Sequence, residues 1–308
     1  MAKTGPNVAD APTAMRTLGW GDYALLDSGA GRKLERYGPY TVVRPEPQCL
    51  WTPRLPVSAW EGADAVFEPT DEDEAGRWRF KGRPKESWPL AWGPAKFHGR
   101  FTNFRHLAFF PEQAANWAWL EGQVRRAVAS GQVQPRVLNL FGYTGVASLV
   151  MAAAGAAVTH VDASKKAVAW ARENAELAGL ADRPIRWITE DARKYVQREV
   201  RRGSTYDGII LDPPKYGRGP GGEVWRLFDD LPELAALCGQ LLSQNAAFLV
   251  LNAYAERISG AALSGLLAEV LKDRAGTIEW GELALVEEAG AKEGPRQVGM
   301  SFFARWSR

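Results

Sequence analysis

The stretch Val137-Leu138-Asn139-Leu140-Phe141-Gly142-Tyr143-Thr144-Gly145 decides the fold. It begins as an apolar run, which predicts a buried strand, and it ends in a turn that contains two glycines. The alanine-rich residues 146–154 follow at once and have the composition of a helix. A strand, a glycine turn and a helix in this order are typical of an open α/β sheet.

Further strands of the same kind follow along the chain. From Pro135 onward, apolar runs alternate with alanine-rich helical segments, which predicts a parallel sheet with crossover helices. The predicted strands are residues 136–140, 157–161, 184–189, 208–211, 247–251, 281–285 and 298–306. The polar, glycine-containing loop 287–295 joins the last two strands, so we expect them to pair as a hairpin at the sheet edge. We therefore predict an α/β, Rossmann-like, mostly parallel seven-stranded sheet with an antiparallel terminal hairpin.

The N-terminal third has a different texture. Eight of the 13 tryptophans lie before residue 120, and short β-like runs at 40–44 and 77–81 are separated by proline and glycine. We predict an N-terminal tail at residues 1–19, a small β-rich domain at 20–105 and the α/β domain at 106–308.

Composition excludes several classes of protein. The 308 residues are 46% hydrophobic and carry a net charge of +2, as in an ordinary globular protein. The longest nearly apolar stretch, residues 146–158, is shorter than the about 20 residues that cross a bilayer. The first twenty residues lack a basic flank followed by an apolar run, which argues against a secretory signal. These features predict no membrane span and a cytoplasmic location.

Cysteine and histidine are scarce. The two cysteines, Cys49 and Cys238, lie far apart, and the three histidines have no ligand spacing. We therefore predict no metal site and two buried, reduced thiols.

Carboxylates follow two strands of the predicted sheet. Asp162 comes twenty positions after Gly142, which is the position that accepts ribose hydroxyls in nucleotide-binding sheets. The next strand ends at Glu190-Asp191, where Asp191 is placed to accept a hydrogen bond from an adenine amino group. Two simpler interpretations stay open: the glycines only shape a tight turn, and each aspartate only caps a helix.

The most specific motif is Asp212-Pro213-Pro214-Lys215-Tyr216-Gly217, which follows the predicted strand 208–211. Two consecutive prolines have no N–H, so the loop is stiff and presents acceptors. Asp212 and the Pro213 carbonyl would accept hydrogen bonds from a substrate amino group, and the Tyr216 ring would offer a stacking face. We predict that Asp212, Pro213 and Tyr216 are catalytic.

These motifs together carry a family resemblance. The glycine turn, Asp162, the helical residues 171–180 and the Asp-Pro-Pro-Lys-Tyr loop resemble class I S-adenosylmethionine-dependent methyltransferases. The most similar group is the ribosomal RNA large-subunit methyltransferase I-like family, and the resemblance covers about residues 105–306. The segment Phe109-Phe110-Pro111-Glu112-Gln113 looks like that family's stretch just before the sheet.

The resemblance implies that S-adenosylmethionine is the cofactor. Gly142 and Gly145 would lie against its methionine part, Asp162 would bind the ribose and Asp191 the adenine. Glu112 and Gln113 would close the pocket. The complete predicted cofactor set is Glu112, Gln113, Asn139, Phe141, Gly142, Tyr143, Thr144, Gly145, Asp162, Ala163, Ser164, Asp191, Ala192 and Asp212.

One departure from the family bears on the reaction. Members that methylate C5 of cytosine carry a catalytic cysteine just after the strand that follows the Asp-Pro-Pro-Lys loop, whereas residues 248–255 contain none. Because C5 becomes nucleophilic only after a thiolate adds to the ring, this chemistry needs a positioned thiol. We therefore favour direct methyl transfer to an amino or ring nitrogen, or to an oxygen.

Basic and aromatic residues alternate between residues 77 and 105. Eight Lys or Arg side chains stand against one acidic residue, Glu86, among seven aromatic residues, a pattern that suits single-stranded nucleic acid. Alternatively, a small β domain uses the aromatics for its core and exposes the charges, and an acidic run lies beside the basic one: Glu68, Asp71, Glu72, Asp73 and Glu74. The predicted substrate-binding residues are Arg79, Lys81, Lys215, Arg218 and Arg226, the last two around a glycine-rich segment, 217–222, predicted to be a lid.

The leading hypothesis is a methyltransferase that acts on a base in RNA, with ribosomal RNA as the favoured substrate. One alternative keeps the cofactor but takes a protein or small-molecule substrate. A nicotinamide-dependent oxidoreductase is another, because a glycine turn and a later acid serve that cofactor equally well. The last alternative is an RNA-binding protein without activity.

Overall fold

The computed structural model describes residues 5–70, 76–254, 257–288 and 294–308. Four features predicted from the sequence lie wholly or partly outside this range. They are the first four residues of the N-terminal tail, the acidic residues Asp71, Glu72, Asp73 and Glu74, residue Ala255 and the middle of the loop 287–295.

The described residues form eighteen strands and seven α-helices. The strands are β1 (Asn7–Val8), β2 (Thr13–Thr17), β3 (Tyr23–Gly29), β4 (Arg32–Tyr37), β5 (Tyr40–Pro45), β6 (Ala65–Pro69), β7 (Gly76–Phe80), β8 (Ser87–Trp92), β9 (Ala95–Arg100), β10 (Arg136–Leu140), β11 (Ala157–Asp162), β12 (Ile185–Thr189), β13 (Gly208–Leu211), β14 (Tyr216–Arg218), β15 (Val224–Arg226), β16 (Phe248–Ala253), β17 (Thr277–Val286) and β18 (Gln297–Ser307). The helices are α1 (Val57–Glu61), α2 (Ala114–Ala129), α3 (Val146–Ala153), α4 (Lys165–Leu177), α5 (Ala192–Arg201), α6 (Leu227–Leu241) and α7 (Gly260–Val270). A 3-10 turn, Pro111–Gln113, precedes α2.

The chain divides into two compact units. The first, called the sheet unit, contains the described parts of Met1–Met15, Asn116–Leu283 and Ser301–Arg308. The second, called the N-terminal unit, contains Arg16–Ala115 and Ala284–Met300. Ala284–Met300 therefore groups with the N-terminal part of the chain, and not with the rest of the predicted domain 106–308.

A nine-stranded sheet organises the sheet unit. Its order is β1-β17-β18-β16-β13-β10-β11-β12, and β2 also pairs with β17. β10, β11, β12, β13 and β16 pair in parallel, and β18 runs antiparallel to β16. The predicted α/β class and the parallel-rich sheet are confirmed.

The sheet has nine strands where seven were predicted. The two additional strands, β1 and β2, lie within the first nineteen residues, which were predicted to be a tail. Both are short and mostly exposed, so they lack the apolar pattern by which a strand is predicted. Because β1 pairs with β17, the terminal hairpin is not at the edge of the sheet.

Apolar side chains cover both faces of the sheet. Every residue of β13 and β16 is buried. On one face Leu138 and Ile209 pack with residues of α5, α6 and α7, and on the other Val137 packs with residues of α2 and α3. Helices on both faces are what an apolar parallel sheet requires, and they leave the strand ends free for polar groups.

The N-terminal unit is rich in β-structure. It contains a five-stranded sheet, β3-β4-β5-β6-β7, and the hairpin β8-β9. One of its buried carboxylates, Glu35, accepts hydrogen bonds from Arg44 at 2.7 and 2.8 Å and from Tyr23 at 2.9 Å. Burial raises the pKa of Glu35, but the cations Arg44 and Lys33 outweigh that effect and lower it to about 2. Arg296 donates to Asp27 at 2.6 Å and thereby ties Ala284–Met300 to this unit.

Candidate active site

Four loops leave the same edge of the parallel sheet. Leu140 at the end of β10 pairs with Val161 on β11 and with Leu211 on β13, so these strands end at the same level. Val161 in turn pairs with Ile188 on β12. The structure thus brings together four predicted segments of the sheet unit: residues 141–145, 162–164, 190–192 and 212–216.

The loop after β10 has a strained backbone. Phe141, Tyr143 and Gly145 adopt left-handed φ angles of 57°, 47° and 82°. Two hydrogen bonds hold the loop against the end of β11: Gly142 N–H donates to the Val161 carbonyl at 3.1 Å, and Tyr143 N–H donates to Asp162 Oδ2 at 2.8 Å. A non-glycine residue in the left-handed conformation lowers the stability of the fold by on the order of 1 kcal/mol, and residues strained in this way are frequent at ligand sites.

Packing within the protein accounts for both glycines. A Cβ at Gly142 would overlap the imidazole of His160. A Cβ at Gly145 would crowd Ala171, and the backbone of Gly145 has a positive φ that favours glycine. The interpretation that the glycines shape the turn therefore holds. Their contact with the cofactor stays a separate prediction.

Asn139 is the first residue of a buried polar chain beneath this loop. Its side-chain amide donates to Ser148 Oγ at 2.9 Å, and Ser148 Oγ lies 3.0 Å from His160 Nδ1. Burial lowers the pKa of His160 to about 3, so the ring is neutral at physiological pH. Thr144, also buried, accepts a hydrogen bond on its carbonyl from Asn174.

Asp162 connects two of the loops. Besides the bond from Tyr143, its Oδ1 accepts the N–H of Ser164 at 2.8 Å. Ser164, adjacent to the half-buried Ala163, caps α4, so the alternative interpretation of Asp162 as the helix cap is wrong. Burial raises the pKa of Asp162. Because a carboxylate offers about four lone-pair sites and two are used, its chemistry fits a pair of ribose hydroxyls.

Asp191 is the N-cap of α5. Its Oδ1 accepts the N–H of Lys194 at 3.0 Å, which confirms the capping interpretation, and Ala192 packs into the core. A carboxylate that caps with one oxygen retains acceptor capacity for an amino group. Asp162 and Asp191 at one sheet edge therefore fit an adenosine group. They would hold the ribose and the adenine of S-adenosylmethionine.

The Asp212 loop continues into a hairpin that the sequence analysis interpreted as a lid. β14 and β15 pair antiparallel, with Tyr216 opposite Arg226 and Gly217 opposite Trp225. The buried Trp225 donates from Nε1 to the Pro214 carbonyl at 2.7 Å, and its ring packs against Phe141. Trp225 therefore contacts both the loop predicted to bind the substrate and the loop predicted to bind the cofactor. The sequence offered only its proximity to the motif as a signal for this role.

One face of this hairpin is exposed; we call it the outer face. It carries Tyr216, Arg218, Val224 and Arg226, and Phe228 follows at the start of α6. The Tyr216 and Phe228 side chains are 50% and 57% exposed.

The cations near this face fall into two groups. The side chains of Lys215, Arg218 and Arg226 form no hydrogen bond or ion pair with any residue that the structure describes. By contrast, α5 and its C-cap contain four cations that pair with carboxylates: Arg193, Lys194, Arg198 and Arg202. The three cations next to the Asp212 loop are therefore unpaired, whereas on α5 only Arg201 has no such partner among the described residues.

The remaining predicted site residues belong to the N-terminal unit. Glu112 and Gln113 are buried in the 3-10 turn. Burial raises the pKa of Glu112, against the opposing effect of the cations Lys33 and Arg44. Arg79 pairs with Glu68 at 3.1 Å, and Lys81 is exposed just beyond β7. The predicted roles of these four residues stay predictions.

Both thiols are buried. Burial raises the pKa of Cys49 to about 11, and that of Cys238 is raised still further. Among the described residues, no cluster of His, Cys, Asp or Glu side chains could hold a metal ion. In the same part of the chain, no helix is long and apolar enough to span a membrane.

The sheet order and the loops at the carboxyl ends of the strands are those of an open α/β sheet, a fold that commonly binds nucleotides at this edge. Comparison with known proteins identifies the family. A family model described as S-adenosylmethionine-dependent methyltransferase matches residues 57–250. The chain therefore belongs to this family, whose cofactor is S-adenosylmethionine. This excludes the nicotinamide-dependent alternative.

The relatives include solved and curated proteins. A solved S-adenosylmethionine-dependent methyltransferase from Agrobacterium tumefaciens is 51% identical, with 98% of this chain and 95% of that one aligned and a TM-score of 0.92. The ribosomal RNA large subunit methyltransferase I of Shewanella denitrificans is 33% identical over 161 residues, which cover 51% of this chain and 38% of the relative. A ribosomal RNA large subunit methyltransferase K/L from Shewanella sp. (strain ANA-3) is 35% identical, covering 42% of this chain and 18% of the relative. The chain thus aligns with less than half the length of these curated relatives.

Proposed function

We propose that this protein transfers a methyl group from S-adenosylmethionine to a nitrogen or oxygen atom of a base in RNA, with ribosomal RNA as the substrate. The observation that carries the proposal is the exposed outer face with its unpaired cations, directly beside the Asp212 loop. The names of the Shewanella relatives support the choice of ribosomal RNA.

The proposed reaction needs little from the protein besides orientation. S-adenosylmethionine supplies an electrophilic methyl group on a sulfonium sulfur. Asp212 and the Pro213 carbonyl accept hydrogen bonds from the N–H groups of the substrate. These bonds would hold the lone pair of the target nitrogen in line with the carbon–sulfur bond that breaks when the methyl group is transferred. The proline loop keeps these acceptors in place because Pro213 and Pro214 have no N–H with which to form competing bonds. Asp212 then accepts the proton that the methylated nitrogen loses.

The outer face supports RNA over a protein or small-molecule substrate. Arginine and lysine side chains without carboxylate partners are available to neutralise phosphates. Exposed aromatic rings provide stacking faces for unpaired bases, with about 1–3 kcal/mol per stacked base. Tyr216, Arg226 and Phe228 place both kinds of group within a short distance of the Asp212 loop along the chain.

The two thiols support a mechanism without a cysteine nucleophile. The reactive form of cysteine is the thiolate, and burial keeps Cys49 and Cys238 protonated at neutral pH. The residues just after β13 and β16 that the structure describes contain no cysteine. The cytoplasmic location predicted from the sequence stays part of this proposal.

The test compares two variants of equal net charge. Arg218→Gln/Arg226→Gln removes the unpaired cations, and Arg193→Gln/Arg198→Gln removes two paired ones. With large-subunit ribosomal RNA as acceptor, we expect the first variant to lose about tenfold or more in kcat/KM and the second to stay near wild type. Methyl transfer to RNA that is independent of salt, or equal losses in both variants, would contradict the proposed role of the outer face.

A further inference from the structure

A second polar site lies on the sheet unit, away from the predicted cofactor edge. It is an open groove of about 410 Å³ at the amino ends of β10, β11 and β12. The residues that define its chemistry are Arg136, Thr159, Arg183, Arg186 and Tyr206. A five-residue strand is about 17 Å long, so this groove is separate from the loops at the carboxyl ends of the same strands.

The groove is strongly cationic. Three of its lining residues are arginines and none is acidic. The guanidinium groups of Arg136, Arg183 and Arg186 form no hydrogen bond or ion pair with the residues that the structure describes.

The carboxylates closest in sequence to Tyr206 have other partners. Glu199 binds Arg202 at 3.0 Å and the Tyr206 hydroxyl at 2.9 Å. Asp207 accepts the backbone N–H of Arg136 at 2.8 Å and the Ser243 hydroxyl at 2.7 Å. Neither is therefore a counterion for the arginines of the groove.

Strand register directs two of the arginines to one face. Arg136 pairs with Ala157 on β11, and Arg186 pairs with Thr159, two residues further along. Because side chains alternate between faces, Arg136, Thr159 and Arg186 project on the same side of neighbouring strands about 4.8 Å apart. The Arg136 guanidinium lies over the Tyr206 ring, 5.2 Å from its centroid, which restricts its position.

We propose that this groove binds phosphate groups of an RNA backbone, an inference that rests on RNA being the substrate. Arg136 on β10 and Arg186 on β12 carry like charges on the two strands that flank β11, and an anion bound between them lowers their repulsion. Guanidinium groups match phosphate oxygens through paired N–H donors, and the Thr159 hydroxyl adds a further donor. The groove would hold a part of the RNA remote from the methylated base and so add affinity without touching the reacting atoms.

The test uses Arg136→Gln/Arg186→Gln. The matched control is Arg125→Gln/Arg308→Gln, which removes the same charge from arginines that already bind Glu121 and the Gln244 carbonyl. Binding of large-subunit ribosomal RNA is measured by fluorescence anisotropy over a salt series, and binding of S-adenosylmethionine by calorimetry. For the groove variant we expect about tenfold weaker RNA binding, a salt slope smaller by about 1 to 2 and unchanged cofactor affinity.

Each other outcome overturns the inference in a recognisable way. If the groove variant binds RNA as the control does, while the wild type methylates RNA, the groove proposal fails and the proposed function stands. If the wild type neither binds nor methylates RNA, both fail. If inorganic pyrophosphate binds to the wild type but not to the groove variant, and RNA does not compete with it, the site takes a small phosphate and the RNA backbone is excluded.

Discussion

The indole N–H of Trp225 donates to the carbonyl oxygen of Pro214 at 2.7 Å, while the same ring lies 4.9 Å from the ring of Phe141. One buried side chain thus contacts both the loop proposed to bind the substrate and the loop proposed to bind the cofactor. Trp225 is a positioning residue in this account, because its contacts fix the loops and it accepts no proton.

Trp225→Phe separates the hydrogen bond from the ring contact. The phenyl ring retains apolar packing on Phe141, but the Pro214 carbonyl loses its donor, so we expect a kcat about tenfold lower with little change in cofactor affinity. The control is Trp280→Phe, which removes a similar indole bond, to the Ala9 carbonyl at 2.8 Å. Both variants should lose about 1 kcal/mol of stability by thermal unfolding. Equal kcat values in the two variants would remove the positioning role of Trp225.

Asp212, predicted to be both catalytic and part of the cofactor set, is expected to act mainly on the substrate and to contribute little to cofactor affinity. Asp212→Asn retains an acceptor oxygen but loses the charge and the capacity to accept a proton, so methyl transfer should fall by on the order of 100-fold. Asp212→Ala should abolish it. Calorimetry should show nearly unchanged affinity for S-adenosylmethionine in both variants. Wild-type turnover by Asp212→Ala would refute the assigned role.

Local sequence patterns predicted the parallel strands well because each one is an apolar run. β10 (Arg136–Leu140) and β13 (Gly208–Leu211) have the predicted bounds. All of their residues except Arg136 are buried, so each strand is visible in the sequence as a nearly continuous apolar run. β1 and β2 were missed because they are short and exposed and are stabilised by pairing with β17, far away in the chain.

The candidate site could be predicted where a polar residue stands at the end of an apolar strand. Asp162, Asp191 and Asp212 could be placed at the sheet edge because each lies at or just after the end of a strand. The hairpin was not predicted because its strands are three residues long and its connection is rich in glycine, and the role of this segment as a lid stays a prediction. The role of Trp225 depends on contacts across the fold, which local sequence does not contain.

Asp162 is predicted to contribute mainly to cofactor affinity. Asp162→Ala removes the acceptor for the ribose hydroxyls and also the tie to Tyr143, so we expect affinity for S-adenosylmethionine to fall at least about tenfold. Asp162→Asn keeps one acceptor oxygen and should lie between this variant and wild type. The control is Asp207→Asn, at the other end of the sheet, where a carboxylate also accepts a backbone N–H. An affinity loss in the control as large as in Asp162→Ala would show a general effect of stability.

The buried His160 predicts a pH dependence of stability. Its pKa is about 3 in the folded protein because of burial, against 6.5 for an unperturbed histidine. Below pH 6.5 the unfolded chain therefore binds a proton that the folded protein excludes, so the free energy of unfolding decreases as the pH falls towards 3. Between pH 7.5 and 5.0 this group should contribute a loss of about 2 kcal/mol. The free energy of unfolding of His160→Gln, measured with denaturant, should fall by about 2 kcal/mol less than that of the wild type between pH 7.5 and 5.0. The same fall in both proteins would exclude His160 as the source of the pH dependence.

Methyl transfer to RNA tests the central claim most directly. The protein is incubated with large-subunit ribosomal RNA and S-adenosylmethionine carrying a labelled methyl group, and the RNA is digested to nucleosides and separated. The account predicts label in a nucleoside methylated on a base nitrogen or oxygen, and its loss in Asp212→Ala. Label in 5-methylcytidine, or in no nucleoside at all, would contradict it.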